Sequence, residues 1–542
     1  MIDLGSSLIR FRGPRGPVRI GLTALLLLLT SGTHPSLHAE PAVLRVAFTA
    51  DPITLDPHKS TTTWEFLTQP LLHLTLVDIR ETTRLIPRAA SSWTSSPDHR
   101  RFTFQLRRNL SFSNGRPVVA DDFVYGLERI LNPATGTFFQ SSLLGVRGAK
   151  AFIEGKTTHV EGLQAPSPDV LVIELERGEP SFGFGLAQIA YPLPREAVES
   201  NATNFGQHPV GAGPYRVARW ERGTRLVLER RPEYRGPEPA LFDVVDIFIG
   251  SDTTTHLMMF ERGELDLANV VSQSLPFPSF RRLSSNPRWK DLIESQLGLS
   301  TDYIALNVEI PPFNNVLVRR AVNHAIDRDR RMQVAQGYES HAEGIIPKSI
   351  PEHDPNLRGY AYDPVKARSL LAQSGVALPV RTQLWHDATE LDRIRAQGFQ
   401  WDLHMVGIEV DLKEVSSAQL SQAAGTRGKV PMSIHTWSAG LPDPWEFFNY
   451  LLHSQAISQE PTFNQSFYRN PKVDRLIDLA SAEVDPFIRC RYYREAEVLV
   501  VEDAPWVFLG HSNFLSLRQP WIHGPLIEPA WYYRLDRIRS IR

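Results

Sequence analysis

Residues 211–236, GAGPYRVARWERGTRLVLERRPEYRG, hold two strand-like runs joined by a turn, and no other stretch restricts the fold of this chain as strongly. Tyr215, Val217 and Arg219 alternate with Arg216, Ala218 and Trp220, and Leu226 and Leu228 alternate with Val227 and Glu229. A period of two sends successive side chains to opposite faces of a strand. Gly223 lies between the runs, where the turn needs a residue free to take positive φ. The segment reads as a β-hairpin and carries no catalytic signature of its own.

A chain of 542 residues exceeds what one hydrophobic core holds, about 250–300 residues, so two or three lobes are expected. Its 42% hydrophobic and 22% charged residues are ordinary for a soluble globular protein, and a net charge of -2 gives no general attraction for nucleic acid or anionic membranes. Cys490 is the only cysteine, which excludes an intramolecular disulfide and a cysteine-rich metal site. Within RCRYYR it is expected as a buried or half-buried helix residue rather than a reactive thiol. At the N-terminus Arg10, Arg12, Arg15 and Arg19 precede an apolar run from Ala24 to Leu29, and Leu37-His38-Ala39 precedes Glu40. These features read as a secretory signal peptide over residues 1–39, cleaved after Ala39. The run is far short of the roughly 20 apolar residues of a spanning helix, so release into the periplasm is expected.

Gly155-Lys156-Thr157 would end a phosphate-binding loop if a glycine stood five residues before Gly155, but that residue is Lys150, and nucleotide binding is not expected. No H-E-x-x-H, G-x-S-x-G or EF-hand loop occurs. Glu264 and Asp266 lie two apart without a third ligand nearby, which favours a structural role over a metal site. No catalytic residue, metal or cofactor is assigned.

Local patterning supplies further elements. Phe102, Phe104 and Leu106 alternate with polar residues as a strand, and a helix capped at Asp121 places Phe123, Leu127, Ile130 and Leu131 on one face. A strand over 303–307 precedes a helix with Val318, Ala321, Val322 and Ala325 on one face. Asp363-Pro364 starts a helix that Gly375 stops. A second helix over 388–404 then precedes a strand over 408–412, and this alternation argues for an α/β lobe.

The wording of these segments resembles the extracytoplasmic solute-binding proteins of the oligopeptide/dipeptide-binding family, from about Val43 to Pro520. It is carried by T-L-D-P-H at 54–58, F-x-F-x-L-R at 102–107, F-S-N-G at 112–115 and A-D-D-F-x-Y-G-L-x-R at 120–129. G-x-G-P-Y in the hairpin, Y-I-A-L-N-x-x-x-P-P-F-N-N at 303–315 and HTWSAGLPDP at 435–444 continue it in order. Asn109 and Asn114 stand where the family usually has acidic residues, and Asn serves a turn as well as Asp does.

The resemblance implies an α/β fold of two lobes with a hinge between them and an extra subdomain inserted in the first lobe. Lobe I would comprise residues 40–85, 205–300 and 513–542, the inserted subdomain 86–204, and lobe II 301–512. In the family the T-L-D-P-H loop reaches the cleft and offers backbone groups to the ligand, which falls here on Thr61, Thr62 and Thr63. The loop at 435–444 lines the cleft, with Trp437 as an apolar wall and Ser438 and Ala439 offering main-chain groups. Peptide-binding relatives place there an aspartate that pairs with the peptide's free amine, and the matching residue is Gly440. Asp443 matches the following turn and is expected to cap a helix from Trp445. An unpaired ammonium in a closed cleft costs several kcal/mol, so the cleft compensates or takes another ligand. Arg427, His435 and His511, which matches a cleft-lining position, tilt the lining towards neutral or anionic ligands. The alternative is that Asp443, or an acidic residue from elsewhere, supplies the missing charge.

The function expected is that of a periplasmic solute-binding protein. It captures a peptide-like or other small solute between two lobes and delivers it to a membrane ABC importer permease, as a monomer, without cofactor, nucleic acid or catalysis. Three alternatives stay open: a non-peptide ligand such as a metal complex, haem precursor or sugar; a periplasmic partner protein that no longer binds small ligands; and a secreted hydrolase. Seventeen histidines permit the last, but nothing local singles one out.

Overall fold

The computed structural model describes residues 41–80, 84–137, 139–250, 252–268, 277–335, 339–458, 460–528 and 532–541. The expected signal peptide lies outside them. The hairpin is present: Tyr215–Glu221 pairs antiparallel with Arg225–Arg230, from Tyr215↔Arg230 to Glu221↔Arg225, and Gly223 turns with φ +70°. A bulge between Val217 and Arg219 interrupts the alternation read from sequence, whereas Leu226 and Leu228 are fully buried. The second hairpin strand pairs with Val244–Ile249, which runs parallel to Val43–Phe48 and completes a four-stranded sheet.

The two glycines that open the motif fit against Leu72. A Cβ on Gly211 would meet the Leu72 carbonyl oxygen at 2.0 Å, and one on Gly213 the carbonyl carbon at 2.4 Å. Arg231, buried behind the hairpin, donates to the carbonyls of Gly213 (2.8 Å), Ser111 (3.0 Å) and Phe112 (2.8 Å). It thereby fastens the hairpin to the segment that follows the strand Arg101–Leu106.

That sheet takes Ala90–Ser95, Arg101–Leu106, Val170–Glu174 and Leu163–Ser167 in this order. The helix Ala120–Leu131 packs on it through Phe123, Leu127, Ile130 and Leu131, all fully buried. Asp121 is exposed and does not cap this helix. The helix starts two residues earlier than expected, with Val119 at its cap, so Asp122 falls in the first turn, accepts the Val119 N–H and is held by Arg116.

The largest sheet places Leu267–Ala268, Trp506–Arg518, Ser300–Leu306, Met432–Ser438, Val380–Asp387 and Ile408–Val415 side by side. Val380–Asp387, which the sequence pattern did not reveal, runs parallel to both neighbours, Ile408–Val415 and Met432–Ser438. The expected helices are in place: Val316–Ala325, Pro364–Gln373 with the Asp363 side chain accepting the Lys366 N–H, and Glu390–His404 capped by Thr389. Trp506–Arg518 is unusually long. Its first half pairs with Ser300–Leu306 and its second half with Ile293–Leu297, so residues 293–306 and 506–518 form one continuous antiparallel ribbon. One hydrophobic cluster joins Phe182, Leu186 and Ala187 to Ala439, Phe447, Phe448 and Trp506, bringing the helix Phe182–Ile189 against the loop after Met432–Ser438.

Candidate functional site

A cavity of about 360 Å³ opens at the carboxyl ends of Val380–Asp387 and Met432–Ser438. This is where an open α/β sheet leaves a crevice, because each strand turns there into a helix that departs to one face. Asp387 ends one strand, Thr389 and Asp392 come from the first turn of Glu390–His404, and Ser417 and Ser421 from Ser417–Ala424. Trp437, Tyr303, Leu420, Leu451 and Phe463 supply apolar wall. The rings of Trp437, Phe463 and Tyr450 meet edge-on or tilted at centroid distances of 5.4–6.5 Å. The Trp437 Nε1–H is buried and has no hydrogen-bond acceptor. A solute carbonyl or carboxylate reaching it would remove that cost.

Arg395, one helical turn beyond Asp392, forms the charged floor. It donates to Asp392 at 3.0 Å and to Glu339, while Arg331 donates to Glu339 at 2.6 Å and to Asp302 at 3.1 Å. Asp302 also accepts from Thr436 and, at 3.0 Å, from Ser512. Burial opposes every charge in this group. It wins at Asp302, whose carboxyl is raised by burial and by neighbouring Glu339; at Glu339 the two guanidiniums outweigh it and lower the pKa. The network ties the cavity floor to the paired strands 300–306 and 506–518.

Of the residues expected at the ligand, His435 and Trp437 line this cavity. His435 is half-buried and neutral, its pKa pushed down to about 3 by burial, and its Nε2 lies 2.7 Å from Ser433 Oγ. His511 is likewise held at about 3, first by burial; its Nδ1 faces Thr301 Oγ1 at 3.1 Å, and it does not line the cavity. Arg427 is absent from the lining as well, because Glu309 and Glu460 hold it elsewhere. Of the three residues expected to tilt the lining towards neutral or anionic ligands, His435 alone lines this cavity, as a neutral ring. Nor do Thr61 and Thr62 offer free N–H groups: both donate to Glu65 Oε2 at 2.7 Å, while Thr63 begins the helix Thr63–Leu72.

The loop after Trp437 is equally committed. Ser438 Oγ pairs with Ser300 Oγ at 2.7 Å, and the Ala439 N–H donates to Leu299 O at 3.0 Å. Gly440 is held at both of its backbone polar groups: its carbonyl accepts from Gln188 Nε2 and its N–H donates to Glu446 Oε2 at 3.0 Å. Asp443 caps the helix Trp445–Leu451 as expected, accepting the Trp445 N–H at 2.8 Å. It is also held by Arg489 at 2.6 and 2.7 Å and is not free to take a ligand's charge. Sequence reasoning missed Asp387, Thr389, Asp392, Arg395, Ser417, Gln188 and Glu446. Thr389 and Ser416 were legible as helix caps, but the placement of two helix starts around one cavity depends on the parallel strand between them.

A family model described as bacterial extracellular solute-binding proteins, family 5 middle, matches residues 84–459. The probable D,D-dipeptide-binding periplasmic protein DdpA of Escherichia coli (strain K12) is 26% identical over 522 residues, 93% of this chain and 96% of that protein. The glutathione-binding protein GsiB of Salmonella choleraesuis (strain SC-B67) is 27% identical over 526 residues, covering 95% and 97%. Among solved structures, clavulanic acid biosynthesis oligopeptide binding protein 2 superposes with a TM-score of 0.84 at 26% identity, covering 92% of this chain and 95% of that one.

Proposed function

Because the chain belongs to the bacterial extracellular solute-binding proteins, family 5, we propose that it captures a peptide-like solute between two lobes in the periplasm and hands it to an ABC importer permease. The α/β fold is that of two-lobed periplasmic binding proteins. The observation that carries the ligand reading is the cavity: about 360 Å³, within the range of small-molecule sites, walled by Trp437, Phe463 and Tyr303 and rimmed by hydroxyls and carboxylates. Relatives that bind a D,D-dipeptide and glutathione align over nearly their whole lengths, which supports a short, polar-ended solute.

The lobe boundaries follow the same reading: 40–85, 205–300 and 513–542 in lobe I, 86–204 as an inserted subdomain, and 301–512 in lobe II. Residues 1–39 act as a cleaved signal peptide, and the protein works as a monomer without catalysis. Mass spectrometry of solute released from gently purified protein, followed by thermal-shift titration with short peptides, tests the ligand class. A peptide that co-purifies and raises the melting temperature supports it. A sugar, haem precursor or metal complex in its place overturns it.

A further inference from the structure

We infer that residues 344–350 form a strap across the hinge between the two lobes, and that the Ser349 hydroxyl, by holding the Gly298 carbonyl, sets how readily the lobes part. The inference rests on the lobe boundaries proposed above and gives a conformational role to residues outside the cavity.

Residues 342–363 join Glu339–His341 to Pro364–Gln373 without a helix or strand of their own. Connections of this kind longer than about 12–15 residues are uncommon in a compact domain and usually serve a function. The first part of this one is buried: Ile345, Ile346 and Ile350 pack in the same cluster as Leu299, Tyr303 and Phe508. Buried backbone outside a helix or sheet must find its hydrogen bonds one at a time, and the partners here show what the segment grips. Glu497 accepts the N–H groups of Ile345 at 2.6 Å and Ile346 at 2.8 Å. A Cβ on Gly344 would lie 2.4 Å from Glu497 Oε1, so the chain runs in contact with the helix Pro486–Asp503. The Ile346 carbonyl accepts from His353 Nδ1 at 2.8 Å and the Ile345 carbonyl from Thr301 Oγ1 at 2.7 Å. Thr301 spends its one proton there, so His511 Nδ1 donates across the 3.1 Å contact with Thr301 Oγ1. These partners, like the segment itself, lie within 301–512.

Ser349 reaches the other way. Its hydroxyl donates to the Gly298 carbonyl at 2.6 Å, across the proposed boundary. Gly298 stands at the break in the ribbon, where pairing with Trp506–Arg518 stops at Leu297↔Asn513 and resumes at Asp302↔Gly510. Its N–H donates to Ser512 O at 3.1 Å, and a Cβ there would lie 2.8 Å from Ser512 O and 3.0 Å from the Phe514 ring. One face of the break is therefore packed against 512–514, while the Gly298 carbonyl, outside the strand pairing, is taken by Ser349. Turning residues 205–297 about Gly298 relative to 301–512 would swing that carbonyl away from Ser349. The bond belongs to the form in which Gln188 also meets Gly440, and opening would exchange it for water. One net hydrogen bond shifts such an equilibrium about twofold to tenfold, and the population of the binding form passes directly into affinity.

Pulsed dipolar spectroscopy reads the lobe separation without a solute, from spin labels at Lys150→Cys and Lys429→Cys in a Cys490→Ser background. Both lysines are exposed, and they belong to the proposed inserted subdomain and lobe II. Ser349→Ala should lower the ratio of short to long separations about twofold to tenfold. Ser349→Thr, which keeps the hydroxyl, should restore it to within about twofold. An enzymatic digest of casein, the probe for peptide-like solutes, should draw the wild type to the short separation, and Ser349→Ala should need about twofold to tenfold more of it. A Ser349→Ala protein that melts lower but keeps the wild-type ratio has lost a merely structural contact, and that result overturns the inference. If the digest shortens the separation at the same concentration in both proteins, the two-lobed trap stands and the role of Ser349 falls. A single separation that neither the digest nor the substitution moves overturns the lobe reading and this inference with it.

Discussion

Arg395 joins the cavity to the paired strands 300–306 and 506–518, and its charge is satisfied by the buried carboxylates of Glu339 and Asp302 and the half-buried one of Asp392. Although burial opposes the cation, Glu339, Asp302 and Asp392 raise its pKa well above the ordinary arginine value. Arg395→Met would leave Glu339 and Asp302 with Arg331 as their remaining guanidinium. Breaking one member of a buried pair costs about 3–5 kcal/mol, and a fall of that order in urea-derived stability is expected. Titration also acts at this scale. Glu497 accepts the N–H groups of Ile345 and Ile346 at 2.6 and 2.8 Å, yet burial raises its carboxyl to about 7. Its folded pKa lies above the unfolded one, so it weakens the fold progressively between pH 4.5 and 7 and fully above. Glu497→Gln should therefore stabilise the protein at pH 7.5 relative to pH 4, by on the order of 1–3 kcal/mol. Buried histidines act in the opposite sense. His58, His435 and His511 are pushed down to about 3 and His73 to about 4, chiefly by burial, so their contribution is lost as pH falls from 6.5 through these values. Between pH 6.5 and 4.5 the raised carboxyls offset this loss; below 4.5 nothing does. Urea midpoints should change little from pH 6.5 to 4.5 and drop steeply from 4.5 to 3, and a uniform slope across both windows would contradict the opposition.

At the scale of elements, the hairpin shows how local and non-local demands share one motif. Gly223 takes φ +70° with nothing within 4 Å of a Cβ, so Gly223→Ala bears only the left-handed backbone cost of about 1–2 kcal/mol. Gly213 has ordinary φ, but a Cβ there would lie 2.4 Å from the Leu72 carbonyl carbon and 2.6 Å from the His73 nitrogen. Gly213→Ala must displace the backbone at the end of Thr63–Leu72 and should lower stability by about 1–3 kcal/mol or more. Chemical denaturation of the two variants separates these mechanisms, because Gly213→Ala should also loosen hydrogen-exchange protection at residues 72–73. Elements whose signals are local were legible in the sequence: the hairpin turn, the Asp363 cap, and the apolar faces of Ala120–Leu131 and Val316–Ala325. Val380–Asp387 was not, because its neighbours are distant in sequence and its buried residues Leu384 and His386 include a polar one. The site suffered most from this. Thr436, Asp302, Glu339 and Arg395 come from four elements, and no spacing along the chain records their meeting. Glu446 reads in isolation as an unremarked acidic residue in the first turn of Trp445–Leu451, and only the fold places it beside Gly440.

For the whole molecule, the ribbon formed by 293–306 and 506–518 is a place where the large sheet changes partners along a single strand, from Ser300–Leu306 to Ile293–Leu297. Gly298 and Leu299 lie at the break, and the register against Trp506–Arg518 shifts between Asp302 and Tyr303. At residues 510–512 the strand 506–518 is also paired on its other edge, with Glu339–His341, so a hinge at this break would carry that short strand with it, and its closure would be driven by contacts made only in the closed form. The hydrogen bond from Gln188 to Gly440, which joins the helix Phe182–Ile189 to the loop beyond Trp437, is expected to be such a contact. Gln188→Ala should therefore leave stability nearly unchanged but weaken solute binding by about 0.5–1.5 kcal/mol, the net worth of one hydrogen bond, mainly through faster release. Small-angle scattering supplies the companion measurement. Saturating solute should reduce the radius of gyration of the wild type, and Gln188→Ala should need proportionately more solute to reach the same compact state. If solute raises the melting temperature while the radius stays fixed, the site is preformed and the ribbon does not act as a hinge.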